Sequence, residues 1–111
     1  MVDPDVVARR LLASNESLKE LERPEAGDAT ALAASSMLRA AVERWLQVAI
    51  EACIDVASHV IESEGWPPPS TAREAFMILA QHARIPSELA QRLGLAVGLR
   101  HLLVHDYARP S

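Results

Sequence analysis

The chain has 111 residues, half of them hydrophobic and 23% charged, with a formal net charge of -4. That length gives one domain, residues 1–111, with room for one packed core but not two. Aromatics at only 4% argue for packed helices over a β-sandwich, and the acidic balance argues against a purely charge-driven nucleic-acid binder.

No apolar run approaches the roughly 18 residues that a membrane helix needs. The start, Met1-Val2-Asp3-Pro4-Asp5, lacks the basic and then apolar pattern of a signal peptide, so the expectation is a cytoplasmic protein with no membrane contact. Cys53 is the single cysteine. It cannot form an internal disulfide, and within its apolar run it reads as a small buried hydrophobe.

A first helix is expected over residues 5–22. Val7, Leu11, Ser14, Leu18 and Leu21 recur at spacings of three and four and should face the core. Pro24 and Gly27 break it. A long second helix is expected from Ala29 to Glu64, with Asp28 as N-cap. Two apolar stripes run along it, one through Leu38, Val42, Trp45, Ala49, Ala52, Val56 and Val60, the other through Leu46, Ile50, Ile54, Ala57 and Ile61. So wide an apolar surface marks the central helix, packed on its own chain and on a second copy. Between the stripes lie Glu43, Gln47, Glu51 and Asp55, which read as a solvated strip or as a face for a basic partner.

Gly65-Trp66-Pro67-Pro68-Pro69 ends this helix, with Trp66 as an anchor against the core. Thr71-Ala72-Arg73-Glu74 fits a capping box and opens a short third helix with Ala72, Phe76, Leu79 and Ala83 on its inner face. Pro86-Ser87-Glu88 starts a fourth, carrying Leu89, Leu93, Ala96, Val97, Leu99 and Leu103. Gly94 and Gly98 share a face of it, as a place for close helix approach or a bend before Arg100. The fold class is therefore all-α, an antiparallel bundle of four to five helices.

The chemistry gathers in Arg100-His101-Leu102-Leu103-Val104-His105-Asp106-Tyr107. From His82 onward there are four arginines and three histidines against two acids, a basic end on an acidic body. Arginine is a permanently charged fork suited to phosphate oxygens, and histidine moves protons near neutrality. These are the minimum parts for RNA cleavage without a metal or cofactor. One histidine takes the 2′-OH proton, another (or its copy from a partner chain) protonates the leaving 5′ oxygen, and arginine stabilises the phosphorane. Tyr107 can orient the phosphate or accept a modification.

Spacing alone does not make a site. Arg100 and Asp106 also read as surface charges, and His105 as a histidine at a helix end. His101 and His105, at i and i+4, are a metal pair without an evident third ligand. On a straight helix Arg100 and His105 diverge by about 140°, so their joint action needs a bent helix end or a second subunit around a two-fold axis.

The string Val97-Gly98-Leu99-Arg100-His101-Leu102-Leu103-Val104-His105-Asp106-Tyr107 resembles the signature of HepT-like proteins of the HEPN superfamily: Arg, four to six residues, His, any residue, Tyr. The resemblance extends upstream through Leu38–Ala57, Arg73-Glu74-Ala75-Phe76 and Ile85-Pro86, and so covers about residues 38–107. It implies a HEPN-like homodimer with a composite cleft, acting as the metal-independent endoribonuclease toxin of a toxin–antitoxin pair. Arg100 and His105 match the family's catalytic pair. Tyr107 matches the tyrosine to which an MntA-like nucleotidyltransferase antitoxin transfers AMP from ATP. Many relatives carry asparagine where this chain has His101, which leaves His101 as an auxiliary proton carrier, a phosphate donor or a neutral replacement. The competing function class is a non-catalytic dimeric helical module that only engages the nucleotidyltransferase.

Overall fold

The computed structural model describes the backbone of residues 4–108 and the side chains of residues 4–101. Five α-helices follow one another: α1 (Pro4–Leu21), α2 (Ala29–Ala34), α3 (Ser36–Glu64), α4 (Ala72–Gln81) and α5 (Ser87–Ala108), with a 3-10 turn at Pro24–Gly27 between α1 and α2. No strand occurs among the described residues. At 1.5 Å per residue, the 29 residues of α3 span about 44 Å. The molecule measures 48 × 27 × 26 Å, so α3 sets its long axis and is the central helix that its two apolar stripes require.

The expected helix from Ala29 to Glu64 is interrupted at Ser35, and the reason is local. Ser35 is extended (φ -138°, ψ 109°), and its hydroxyl accepts the Leu38 N–H at 3.1 Å, which is an N-cap in mid-sequence. Arg39 reaches back to the Leu32 and Ala33 carbonyls at 2.6 and 3.0 Å, satisfying the end of α2. Asp28 caps the start of α2 as expected, accepting from Thr30 and Ala31.

The core lies around the C-terminal half of α3. Ala57 and Ile61 meet Ala75, Phe76 and Leu79 of α4 and Ala90 of α5, with Ile54, Trp66, Leu93 and Val97 packed around them. Among the described residues Phe76 is the largest fully buried side chain, at 2% exposure. α1 packs on α3 with Ser14 buried as expected, but not Leu11 and Leu18. Ser14 and Ser17 are its buried residues, and Leu11 and Leu18 stay half-exposed at the flanks. Small serines let the two backbones approach, and the leucines then fall outside the seam. Cys53 is likewise exposed on α3 rather than buried. Its apolar surroundings still push the thiol pKa up, which keeps it a weak nucleophile.

Two helix ends meet at one corner. Gly65 (φ 73°) closes α3, with the Trp66 N–H donating to the Ile61 carbonyl at 3.1 Å. Ala83 was expected on the inner face of α4, yet it lies beyond the helix at φ 56°, with the Arg84 N–H donating to the Leu79 carbonyl at 2.8 Å. Both are left-handed caps, glycine in one and alanine in the other. They bring Trp66 onto His82, the rings stacked 3.7 Å apart at 9°. The Arg84 guanidinium lies 5.6 Å from the Trp66 ring centre and pairs with Glu64 at 3.0 Å. Trp66 is thus the expected anchor, fixed by a cation–π and a stacking contact as well as by the core.

Candidate functional site

α5 begins after Pro86, and the Ala90 N–H donates to the Pro86 carbonyl at 3.1 Å. Ala90, Leu93, Gly94 and Val97 turn toward the rest of the bundle, while Leu95 is 70% exposed. The helix continues without interruption through positions 100, 105 and 107. By its period, positions 100 and 107 share one stripe, and positions 101 and 105 share another. Positions 100 and 105 diverge by about 140°, so one chain does not bring them onto one face of α5. The side chains of His105 and Tyr107 lie outside the described residues.

Arg100 is half-buried, and its Nη1 lies 3.8 Å from Oε1 of Glu51 on α3. Glu51 is itself half exposed. A long pair of this kind contributes roughly 0–1 kcal/mol and is weakened by salt. One helical turn along, Asp55 accepts from Arg10 of α1 at 2.5 Å. The acidic strip of α3 is therefore neither a plain solvated face nor a face left open for a basic partner. Glu51 takes a cation from α5 and Asp55 takes one from α1. Sequence spacing cannot show this pairing, because Arg10 and Asp55 are 45 residues apart. His101 is exposed at the start of the last two turns of α5.

The two α5 glycines have a specific neighbour. Arg73, in the first turn of α4, donates from Nη2 to the Gly94 carbonyl at 3.0 Å. A Cβ at Gly94 would stand 3.3 Å from Arg73 Cγ and 3.4 Å from its Nε, and one at Gly98 would stand 3.6 Å from Nη2. Glycine at 94 leaves room for the arginine stem, which a Cβ there would push aside by a few tenths of an ångström. What approaches α5 closely is thus a side chain laid lengthwise. In the sequence Arg73 stands inside the capping box and in the family-like Arg73-Glu74-Ala75-Phe76, with no contact to α5 indicated. The box exists with a one-residue offset: Thr71 Oγ1 accepts from Glu74 N, and the Glu74 carboxylate accepts from Ser70 N. The signal for Arg73 was the unexplained glycine pair on α5.

Between α4 and α5 lies an open groove of about 630 Å³, lined by Arg73, Met77, Ala80, Gln91 and Leu95 among others. No described helix is long and apolar enough to cross a membrane.

Comparison with known proteins agrees with this architecture. A family model described as Ribonuclease HepT-like matches residues 14–109. The chain is 31% identical over 103 residues to mRNA nuclease HepT of Shewanella oneidensis, covering 93% of this chain and 77% of that protein. It is 28% identical over 106 residues to tRNA nuclease HepT of Aphanizomenon flos-aquae, covering 96% and 72%. In three dimensions it is similar to the tri-AMPylated Shewanella oneidensis HEPN toxin solved in complex with MNT antitoxin, with a TM-score of 0.82 at 30% identity over 95% of this chain and 78% of that one. A toxin–antitoxin crystal structure with AMP-PNP gives a TM-score of 0.81 at 30% identity, over 91% and 76%.

Proposed function

The chain belongs to the HepT-like ribonuclease family, and on that footing we propose that it is an endoribonuclease toxin that cleaves RNA without a metal ion, using Arg100 and His105. The chemistry is an internal transfer at phosphorus. The ribose 2′ oxygen attacks the adjacent phosphate as a histidine accepts its proton, and the bond to the 5′ oxygen breaks as that oxygen gains a proton. The products are a 2′,3′-cyclic phosphate and a 5′-hydroxyl, and histidine is suited to both proton transfers near neutral pH. Arg100 offsets the charge that builds on the phosphorane.

The observation that carries this reading is the loose hold on Arg100. A guanidinium 3.8 Å from a half-exposed carboxylate is easily taken by a phosphate, which accepts its fork of donors with better geometry. The divergence of positions 100 and 105 supports a homodimer in which Arg100 of one protomer works beside His105 of its partner. His101 shares the His105 stripe and fits an auxiliary proton carrier or phosphate donor.

Tyr107 is the proposed control point, and an MntA-like nucleotidyltransferase antitoxin the proposed partner. The phenol oxygen attacks the α-phosphate of ATP, pyrophosphate leaves, and the phenol proton is released. The attached AMP places a negative phosphodiester on the same α5 stripe as Arg100, where it competes with RNA for that cation and fills the cleft.

The test is cleavage of RNA by the purified protein in the presence of EDTA. Wild type should cleave, and His105→Ala should lose about 10²–10⁴-fold in rate with its helical content unchanged. Equal cleavage by His105→Ala would sink the catalytic assignment. No cleavage by wild type would leave the non-catalytic binding module. For Tyr107, intact mass after co-expression with the antitoxin should show AMP-sized additions that vanish in Tyr107→Phe.

A further inference from the structure

Arg73 of α4 lies against the stripe of α5 that carries position 105. Positions 94, 98, 101 and 105 follow at spacings of four, three and four, which keeps them within an arc of about 60° around the helix. Arg73 lies on the first two of these positions, with Nη2 held by the Gly94 carbonyl and close to Gly98. Arg100 lies off this stripe, toward Glu51 of α3.

Arg73 has no carboxylate partner among the described residues. Arg10, Arg23, Arg84, Arg92 and Arg100 each pair with a carboxylate, whereas Arg39, like Arg73, donates to backbone carbonyls, there to close α2. Arg73 spends one donor in this way. A guanidinium has five N–H donors in a rigid fork, so most of this one remains for an oxyanion. The carbonyl contact and the glycine notch fix its stem, which lowers the entropy lost on binding. Arg73 lines the open groove between α4 and α5.

We infer that Arg73 is a second phosphate-contacting residue, which takes a backbone phosphate neighbouring the one that is cleaved while the strand follows the α4–α5 groove. The inference rests on the reading of the chain as an RNA-cleaving protein and adds a binding role that the Arg100–His105 pair does not supply. Arg73 takes no part in proton transfer, so its contribution appears in binding and not in the chemical step.

The test measures binding of a fluorescent single-stranded RNA to the full chain carrying His105→Ala, from low to moderate salt, alongside cleavage by wild type. Adding Arg73→Gln removes the charge while leaving a polar stem of similar bulk beside Gly94. Affinity should fall about tenfold at low salt, and the slope of log affinity against log salt should flatten by about 0.7. Arg73→Lys should keep the slope. Met77→Glu, at an exposed groove position one turn along α4, offers Arg73 a carboxylate and should flatten the slope as Arg73→Gln does, while Met77→Gln should not. A purely structural role would lower thermal stability in Arg73→Gln and leave the slope alone, and that result overturns the inference. Should Arg73→Gln fail to fold, an unchanged slope in Met77→Glu overturns it equally. If the parent binds no RNA and wild type cleaves none, the functional reading itself fails and takes this one with it. If the parent binds and the Arg73 and Met77 variants match it, only the role of Arg73 is lost.

Discussion

The corner where α3 and α4 end and the seam between α4 and α5 use the same residue types to opposite effect. At the corner, Arg84 pairs with Glu64 at 3.0 Å and lies over Trp66, which stacks on His82. The recorded contacts there lock two helix ends together. On the seam, Arg73 holds a carbonyl and no described carboxylate, and Arg100 holds Glu51 only at 3.8 Å. An arginine that is tightly matched contributes to the fold. One that is positioned but poorly matched is available to a ligand. The contrast separates stability from chemistry on a chain whose sequence shows eleven Lys and Arg residues without distinguishing them.

The largest expected effect breaks the comparison on the seam side. Arg100→Ala should lower RNA cleavage by about 10²–10³-fold, since it removes a donor aimed at developing charge, while the melting temperature moves little. A comparable loss in stability and in activity would mean that Arg100 is a structural residue after all. Trp66→Ala should do the reverse. Losing the half-buried ring, its stack and its cation–π contact should cost about 2 kcal/mol. In a domain of this size that lowers the melting temperature by roughly 10 °C, with cleavage below the transition unchanged.

The same division explains what could be read in advance. The helix starts at Asp28 and Thr71, the end at Gly65 and the central role of α3 were legible, because capping chemistry and apolar period act over a few residues. The break at Ser35 is not legible because no glycine or proline marks it between Ala29 and Glu64, and the cap only declares itself once Arg39 closes the preceding turn. Leu11 and Leu18 were placed in the core by period, although the helix pair closes on Ser14 and Ser17 instead. The residues Arg100, His101, His105 and Tyr107 were legible as a string. The pairing of Arg100 with Glu51 was not, and neither was the lodging of Arg73 against Gly94, because both depend on helices distant in sequence.

Smaller effects sharpen the corner. Ala83 holds a left-handed conformation at φ 56° that glycine adopts without steric cost. Ala83→Gly should therefore raise stability by about 0.5–1 kcal/mol, read as a higher denaturant midpoint at constant slope. Smallest of all, Glu51→Gln should change stability by less than about 0.5 kcal/mol. By freeing Arg100 it should hold RNA cleavage at or above the wild-type rate, and a fall in rate would show that Glu51 aims Arg100 and does not merely compete for it.

The interruption at Ser35 has a consequence for how the molecule opens. It leaves α2 as six residues with no buried side chain, held by a cap at each end. A helix that short has almost no cooperative reserve of its own. Amide protons across residues 24–35 should therefore exchange with deuterium first. Those around Ala57, Phe76 and Leu79 should exchange only when the whole domain opens.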